Sequence, residues 1–166
     1  MPRVRVDGSH FSPDTRAFIE LLSKHDVRYL IVGGEAVIFH GYARLTGDTD
    51  FFYGRDAANA QRLFNALEEF WGGDIPGVKA PAELTVAGVI LQFGVPPNRI
   101  DLINEVDGVA FDAAWSARIE PTMTTPTGEI PICYMCLEDL IMNKQLAGRP
   151  KDMDDLTYLR KARDRR

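Results

Sequence analysis

Two aspartates, Asp48 and Asp50, lie two positions apart in the otherwise apolar and aromatic segment DTDFFY. Its aromatic and β-branched residues and its alternation predict a strand over 48–53, with both aspartates on one face and Thr49 on the other. A carboxylate taken out of water costs free energy unless a positive group meets it, so this pair requires a partner. Residues i and i+2 of a strand have Cα atoms about 6.5 to 7 Å apart. Both side chains can therefore reach one hard cation or two neighbouring cations.

A third isolated carboxylate, Asp101, lies in the apolar segment NRIDLI. This segment predicts a strand over 99–103 that could lie beside the first. Three aspartates without cysteine or histidine favour Mg²⁺ or Mn²⁺ over zinc. Such sites suit phosphoryl and nucleotidyl transfer, because bound cations lower the pKa of an attacking hydroxyl and hold a triphosphate. The alternative is that the three carboxylates lie at a strand edge in water or pair with Arg44 or Arg99.

A glycine pair, Gly33 and Gly34, follows the short apolar segment 29–32, YLIV, which predicts a buried strand. The pair admits a tight turn into a predicted helix over 35–42. Glycines at such a turn let backbone N–H groups approach a triphosphate without a side chain in the way. The order of apolar strand, glycine pair, helix, aspartate strand and later lone aspartate is more specific than any one of these features.

The remaining segments predict a single α/β (α+β) domain over residues 1–166, since 166 residues that are 45% hydrophobic suffice for one core. Its parts are an α/β core to about residue 135, with a mixed sheet flanked by helices, and a short helical annex over about 136–166. The predicted helices span residues 14–25, 35–42, 57–70, 111–117, 137–147 and 150–161. The predicted strands span residues 29–32, 48–53, 85–93, 99–103 and 129–133.

This pattern resembles the nucleotidyltransferase superfamily that shares the DNA polymerase β-like fold. The C-terminal LEDLIMNKQLAGRPKDMDDLTYL is similar to the helical end of bacterial minimal nucleotidyltransferases, including abortive-infection toxins of type IV toxin–antitoxin pairs. The resemblance covers about residues 29–159. It implies Mg²⁺- or Mn²⁺-dependent transfer of a nucleoside monophosphate from an NTP such as ATP to a hydroxyl. The acceptors it implies are a tRNA, a protein or a small molecule, and the implied partners are a cognate antitoxin or a second copy of the chain.

The resemblance also implies site residues. Gly33 and Gly34 match the glycine motif, and the catalytic and metal-binding carboxylates are Asp48, Asp50 and Asp101. The second glycine replaces a serine that touches a phosphate in many members. Arg44 and Thr46 are expected to compensate for that hydroxyl by reaching phosphate or supporting the turn, although Arg44 could instead pair with an aspartate.

Three C-terminal residues match more loosely. Lys144 resembles a lysine near the nucleotide phosphates, so it joins the predicted nucleotide-binding residues; the alternative is a solvent-facing helix residue. Lys151 and Asp152 resemble a further toxin-type motif, whereas Asp152 near a helix start is equally explained by the helix dipole.

Composition limits the other functions. The net charge of −5 argues against a nucleic-acid-coating role, because such binding depends on Lys and Arg neutralising phosphates. Cys133 and Cys136 could form half of a zinc site or a redox pair, and we favour buried small apolar residues. His40 could stack on a base or bind carbonyls, and we favour the latter. No apolar run approaches membrane length and the N-terminus lacks a signal-peptide core, so we expect a cytoplasmic protein without membrane contact.

Two other functions stay open. The first is a catalytically silent binding module that retains the fold and acts through a partner protein, for instance as half of a toxin–antitoxin pair. The second is an antibiotic nucleotidyltransferase, which would require an acidic pocket for a cationic drug.

Overall fold

The computed structural model describes residues 4–166, which form seven β-strands, six α-helices and two short 3-10 helices. The strands are β1 (Arg5–Asp7), β2 (Tyr29–Val32), β3 (Asp48–Tyr53), β4 (Ile90–Phe93), β5 (Arg99–Ile103), β6 (Thr122–Thr125) and β7 (Gly128–Pro131). The α-helices are α1 (Pro13–Lys24), α2 (Gly33–Phe39), α3 (Ala57–Trp71), α4 (Phe111–Ser116), α5 (Leu137–Ala147) and α6 (Pro150–Asp164). The 3-10 helices are Gly8–His10 and Pro81–Thr85. None of the helices within residues 4–166 has both the length and the apolar composition that crossing a membrane requires.

The central sheet has four strands in the order β2-β3-β5-β4. β3 and β5 are parallel, whereas β2 pairs with β3 and β4 with β5 in antiparallel fashion, so the sheet is mixed as predicted. The predicted strand over 85–93 is confirmed only from Ile90. Gly88 adopts a left-handed φ of +83° and donates its N–H to Asn104 Oδ1 at 2.9 Å. The chain is therefore not extended at Gly88, and the strand begins only after it.

A second, three-stranded sheet in the order β1-β6-β7 corrects the prediction of one sheet. β1 and β6 were not predicted, because three- and four-residue strands with polar sequences such as TMTT show too little alternation. The predicted strand over 129–133 ends at Pro131. Beyond it the chain turns to β2, where Ile31 N–H donates to the Cys133 carbonyl at 2.8 Å and Met135 N–H to the Ile31 carbonyl at 3.1 Å. This segment thereby covers the free edge of β2.

Alternation along β3 divides the central sheet into two faces. On one face, Phe51 contacts Phe18 of α1 edge-on, with ring centroids 5.3 Å apart. Phe18 also contacts Phe70 of α3 at 5.2 Å, so α1 and α3 cover this face as the apolar core. On the opposite face, Phe52 contacts Phe111 of α4 at 5.2 Å. Asp48 and Asp50 share that second face, and both are half-buried, whereas Phe51 on the first face is fully buried.

Buried polar contacts fix the ends of these strands. Asn59 of α3 is fully buried, and its amide oxygen accepts the Arg28 N–H at 2.8 Å. Its amide nitrogen donates to the Arg28 carbonyl at 3.0 Å and to the Gly54 carbonyl at 2.6 Å. The side chain thus joins α3 to the start of β2 and to the end of β3.

We predict that Asn59→Ala lowers the free energy of unfolding by about 2 to 4 kcal/mol, because buried backbone groups at Arg28 and Gly54 lose their partner. Urea denaturation measures this loss. Asn65→Ala on the exposed face of the same helix, where the side chain bonds only Gln61, is the control and should change stability by less than about 0.5 kcal/mol. Equal losses in the two variants would contradict a role for Asn59 in holding the strand ends.

Candidate active site

Three carboxylates from neighbouring strands lie together on the open face of the central sheet. Asp48 and Asp50 share that face because they are two residues apart on β3. The parallel register with β5 places Asp50 opposite Asp101. One oxygen from each of the three lies within 4.8 Å of the others, and within residues 4–166 no other group of three His, Cys, Asp or Glu side chains could hold a metal ion.

Arg99 is the positive partner of two of these carboxylates. Its Nη2 lies 2.8 Å from Asp48 Oδ2 and 3.0 Å from Asp101 Oδ2, and its Nε lies 2.8 Å from Asp101 Oδ1. The alternative of pairing with Arg99 is therefore present in the structure, together with the clustering of the carboxylates. The other arginine of that alternative, Arg44, pairs with Asp155 and with none of the three carboxylates, although its Nη2 would lie 3.2 Å from a Cβ on Gly34.

The surroundings of Asp50 change the pKa of its carboxyl group. Burial, followed by the charges of Asp48 and Asp101, raises the pKa of Asp50 to about 7. The charge of Lys144 opposes this rise only weakly. Three oxygen ligands, one of them on a carboxyl that is costly to ionise without a cation, form a donor set that fits Mg²⁺ or Mn²⁺.

The glycine pair is required by close contacts with the chain around the carboxylates. Gly33 has a φ of +63°, and a Cβ at this position would overlap Asp50 Oδ2. A Cβ on Gly34 would lie 2.6 Å from Thr46 Oγ1, which itself donates to the Asp48 carbonyl at 3.2 Å. Gly33, Gly34 and Thr46 therefore hold the backbone of α2 against the aspartate strand.

The predicted phosphate contacts Arg44 and Lys144 lie in a buried ion-pair network. Lys144 is 4% exposed, so its interpretation as a solvent-facing residue is wrong, and its Nζ lies 3.0 Å from both Asp152 Oδ1 and Asp155 Oδ2. Arg44 binds Asp155 through Nε at 2.9 Å and Nη2 at 3.0 Å. Asp152 also accepts from Arg149 Nε at 2.7 Å, so its role exceeds that of a helix-dipole partner. Lys144 and Arg149 nevertheless line the cleft described next.

A cleft of about 1240 Å³ opens beside the carboxylates. Gly33 and Asp50 form part of its wall, and Phe52 and Phe111 provide aromatic surface. Its other charged lining residues are Arg55, Asp56, Glu105, Asp107, Asp112, Lys144 and Arg149. Sequence reasoning missed the wall formed by residues 104–112, because NEVDGVAFD contains no motif; its clustered acidic residues beside a glycine are the one signal that could have indicated it.

Other residues considered from the sequence lie outside the cleft lining. His40 is buried with Nε2 2.8 Å from the Met135 carbonyl, and burial lowers its pKa, so it binds a carbonyl rather than a base. Cys133 and Cys136 are both buried and unbridged, as we favoured, and burial raises the pKa of the Cys133 thiol to about 12. Lys151 is exposed on the first turn of α6.

A protein-family model described as "Nucleotidyltransferase of unknown function (DUF6036)" matches residues 14–160, which include β3, β5, α5 and most of α6. The chain belongs to this nucleotidyltransferase family. The resemblance to nucleotidyltransferases, and the α+β fold it implies, are thereby confirmed. A search of curated proteins finds no match to this chain.

Gly33 offers a test of the close approach between α2 and the carboxylates. We predict that Gly33→Ala lowers the free energy of unfolding by about 2 to 4 kcal/mol, because strain at positive φ adds to a clash with Asp50. Gly72→Ala is the matched control, since Gly72 has a similar φ of +67° with nothing within 4 Å, and should cost only about 1 kcal/mol. Urea denaturation compares the two. An equal cost would show that the Asp50 contact imposes no constraint.

The raised pKa of Asp50 predicts that the stability of the metal-free protein depends on pH. The folded protein holds this proton up to about pH 7, whereas the unfolded chain loses it near 3.8. The contribution of Asp50 to the free energy of unfolding is therefore fully present below about pH 4 and is lost as the pH rises to about 7. The asparagine of Asp50→Asn stays neutral at every pH. Relative to wild type, the free energy of unfolding of this variant should therefore rise by on the order of 1 to 3 kcal/mol between pH 5 and pH 8.

Urea denaturation in EDTA at both pH values measures that difference. Asp74→Asn, at an exposed position, is the control and should track wild type at both. A stability difference between Asp50→Asn and wild type that does not change with pH would contradict the raised pKa.

Proposed function

We propose that this protein is an active nucleotidyltransferase, which transfers a nucleoside monophosphate from an NTP to an acceptor hydroxyl and releases pyrophosphate. In this proposal Asp48, Asp50 and Asp101 would hold the divalent cations, Mg²⁺ or Mn²⁺. The observation that carries the proposal is the convergence of three carboxylates from β3 and β5 beside a cleft. Cations bound there would lower the pKa of the acceptor hydroxyl and neutralise the triphosphate. The family match supports the reaction class.

The chain's own residues have distinct roles in this proposal. Gly33 and Gly34 keep the α2 backbone close to Asp50 and Thr46 and leave no side chain between them. Lys144 and Arg149 bring positive charge to the cleft wall where the triphosphate of the donor would lie. Arg44 is a positioning residue in this proposal. It holds the Asp155 carboxylate through two hydrogen bonds, and Lys144 binds the same carboxylate.

The charge of the cleft bears on the acceptor. Besides Asp50, four carboxylates line it, from Asp56, Glu105, Asp107 and Asp112, against three cations. Asp56 and Glu105 follow the C-terminal ends of the parallel strands β3 and β5, past Asp50 and Asp101 in the direction of the strands. An acidic wall in that position would attract an amine-bearing small molecule and repel a polyanion. It favours a cationic, hydroxyl-bearing acceptor over a tRNA end.

A toxin that modifies a tRNA or a protein, controlled by a cognate antitoxin, is the second candidate function. The similarity of the C-terminal helices to those of minimal nucleotidyltransferases supports it. A silent binding module is a third, and the presence of all three carboxylates argues against it.

Thermal unfolding tests the site. We predict that saturating Mn²⁺ with a non-hydrolysable NTP analogue raises the wild-type Tm by about 5 to 10 °C, as expected at a ligand concentration near 100 times Kd. Asp50→Asn and Asp101→Asn should abolish the gain, because each removes a cation ligand. Asp74→Asn, outside the cleft, should retain it.

Transfer of label from α-³²P-NTP to a panel of acceptors then separates the candidate functions. Label on amine-bearing small molecules supports the favoured acceptor, and label on tRNA or protein supports the toxin. Binding of metal and nucleotide without transfer to any acceptor would favour the binding module, and identical melting of wild type and variants would remove the enzymatic proposal.

A further inference from the structure

We propose that Arg99 competes with the metal ions for the carboxylate site: its guanidinium joins Asp48 to Asp101 in the metal-free protein and is displaced when a divalent cation binds them. The inference rests on the proposed function, since it concerns the same carboxylates. It assigns to Arg99 control over metal affinity, which the family match does not address.

The register of the sheet explains why Arg99 lies there. β3 and β5 run parallel with Asp48 opposite Arg99 and Asp50 opposite Asp101. Arg99 and Asp101 are two residues apart on β5, so both side chains share the face that carries Asp48. The guanidinium therefore lies between two acidic side chains on neighbouring strands.

The contacts use the oxygens that a cation would need. Arg99 donates to Oδ2 of Asp48 and to both carboxylate oxygens of Asp101, at 2.8 to 3.0 Å. A Mg²⁺ or Mn²⁺ ion binds carboxylate oxygens at about 2.0 to 2.2 Å, and a guanidinium in its present place would then face a divalent charge at close range. Guanidinium and cation therefore compete for both oxygens of Asp101 and for Oδ2 of Asp48, and Oδ1 of Asp48 is the one oxygen of this pair that Arg99 does not bind. The Arg99 side chain is 29% exposed, so it can swing into solvent when a metal enters.

This competition predicts two effects of opposite sign. Without metal, Arg99 relieves repulsion among the carboxylates, and removing it lowers stability. With metal, Arg99 is a competitor, and removing it raises affinity. A purely structural arginine would lower stability without raising affinity, and an arginine that assists metal binding would lower both.

The experiment measures Mn²⁺ binding by isothermal titration calorimetry and Tm in EDTA for wild type, Arg99→Gln and Arg99→Lys. We expect Arg99→Gln to melt several degrees below wild type in EDTA and to bind Mn²⁺ about tenfold more tightly or better, since charge-assisted hydrogen bonds no longer have to be broken. Arg99→Lys keeps the charge but loses the two-pronged contact, so its affinity should lie between those of wild type and Arg99→Gln. It also keeps the test decisive if Arg99→Gln fails to fold in EDTA.

Arg118→Gln is the matched control. Arg118 has the same side-chain exposure, 29%, and an ion pair of similar length, with Glu120 at 3.0 Å, but its hydrogen bonds go to Glu120 and the Trp115 carbonyl and to none of the three carboxylates. Its loss can lower Tm and should leave Mn²⁺ affinity unchanged. Any gain in affinity seen for Arg99→Gln and not for Arg118→Gln belongs to the carboxylate site.

Two negative results have different meanings. If wild type binds Mn²⁺ and the Arg99 variants bind it equally or more weakly, competition by Arg99 is overturned while the proposed function stands. If neither wild type nor the Arg99 variants bind Mn²⁺, with or without the NTP analogue, both proposals fall.

Discussion

Parallel pairing of β3 with β5 brings acidic side chains from two strands onto one face of the sheet. Their mutual repulsion requires a positive charge on this face. Asp50 lies opposite Asp101, and Asp48 lies one pleat away on the same face. The opposite face of β3 packs against α1 and α3 through Phe51. A slip of one residue in this register would bury the aspartates in that core, so the apolar face fixes where the carboxylates meet.

The protein meets the charge of this cluster in two ways when no metal is bound. Arg99 neutralises Asp48 and Asp101 through hydrogen bonds. Asp50, which burial and its acidic neighbours make hard to ionise, instead has a pKa raised to about 7. Both arrangements cost free energy that a merely structural role would not require, because replacing a buried ion pair with apolar side chains of similar volume is often neutral or stabilising. A site in which the Arg99 guanidinium gives way to a metal ion supplies a reason for both arrangements.

The central part of this arrangement was predictable from local sequence. An isolated aspartate in an apolar segment that alternates with period two identifies β3 and β5, and left-handed φ at Gly33 follows from a glycine between strand and helix. Arg99 as a partner was predicted only as an alternative, because spacing does not show whether a neighbouring arginine points at a carboxylate or into water. The cleft wall over 104–112 and strands β1 and β6 depend on contacts between segments far apart in the chain, and short polar segments carry no periodic signal of them.

The burial of Lys144 was not predictable for the same reason, and it bears on what the C-terminal helices do. Its partners Asp152 and Asp155 lie on α6, across the turn at Gly148, and Asp155 also binds Arg44. Arg44 belongs to the loop that carries Thr46, which in turn contacts both Gly34 and Asp48. Because breaking a buried ion pair leaves an uncompensated charge, this network holds the loop in one position more strictly than apolar packing would. The two helices therefore fix the loop that leads into the aspartate strand, and the predicted helical annex is a support of the site itself.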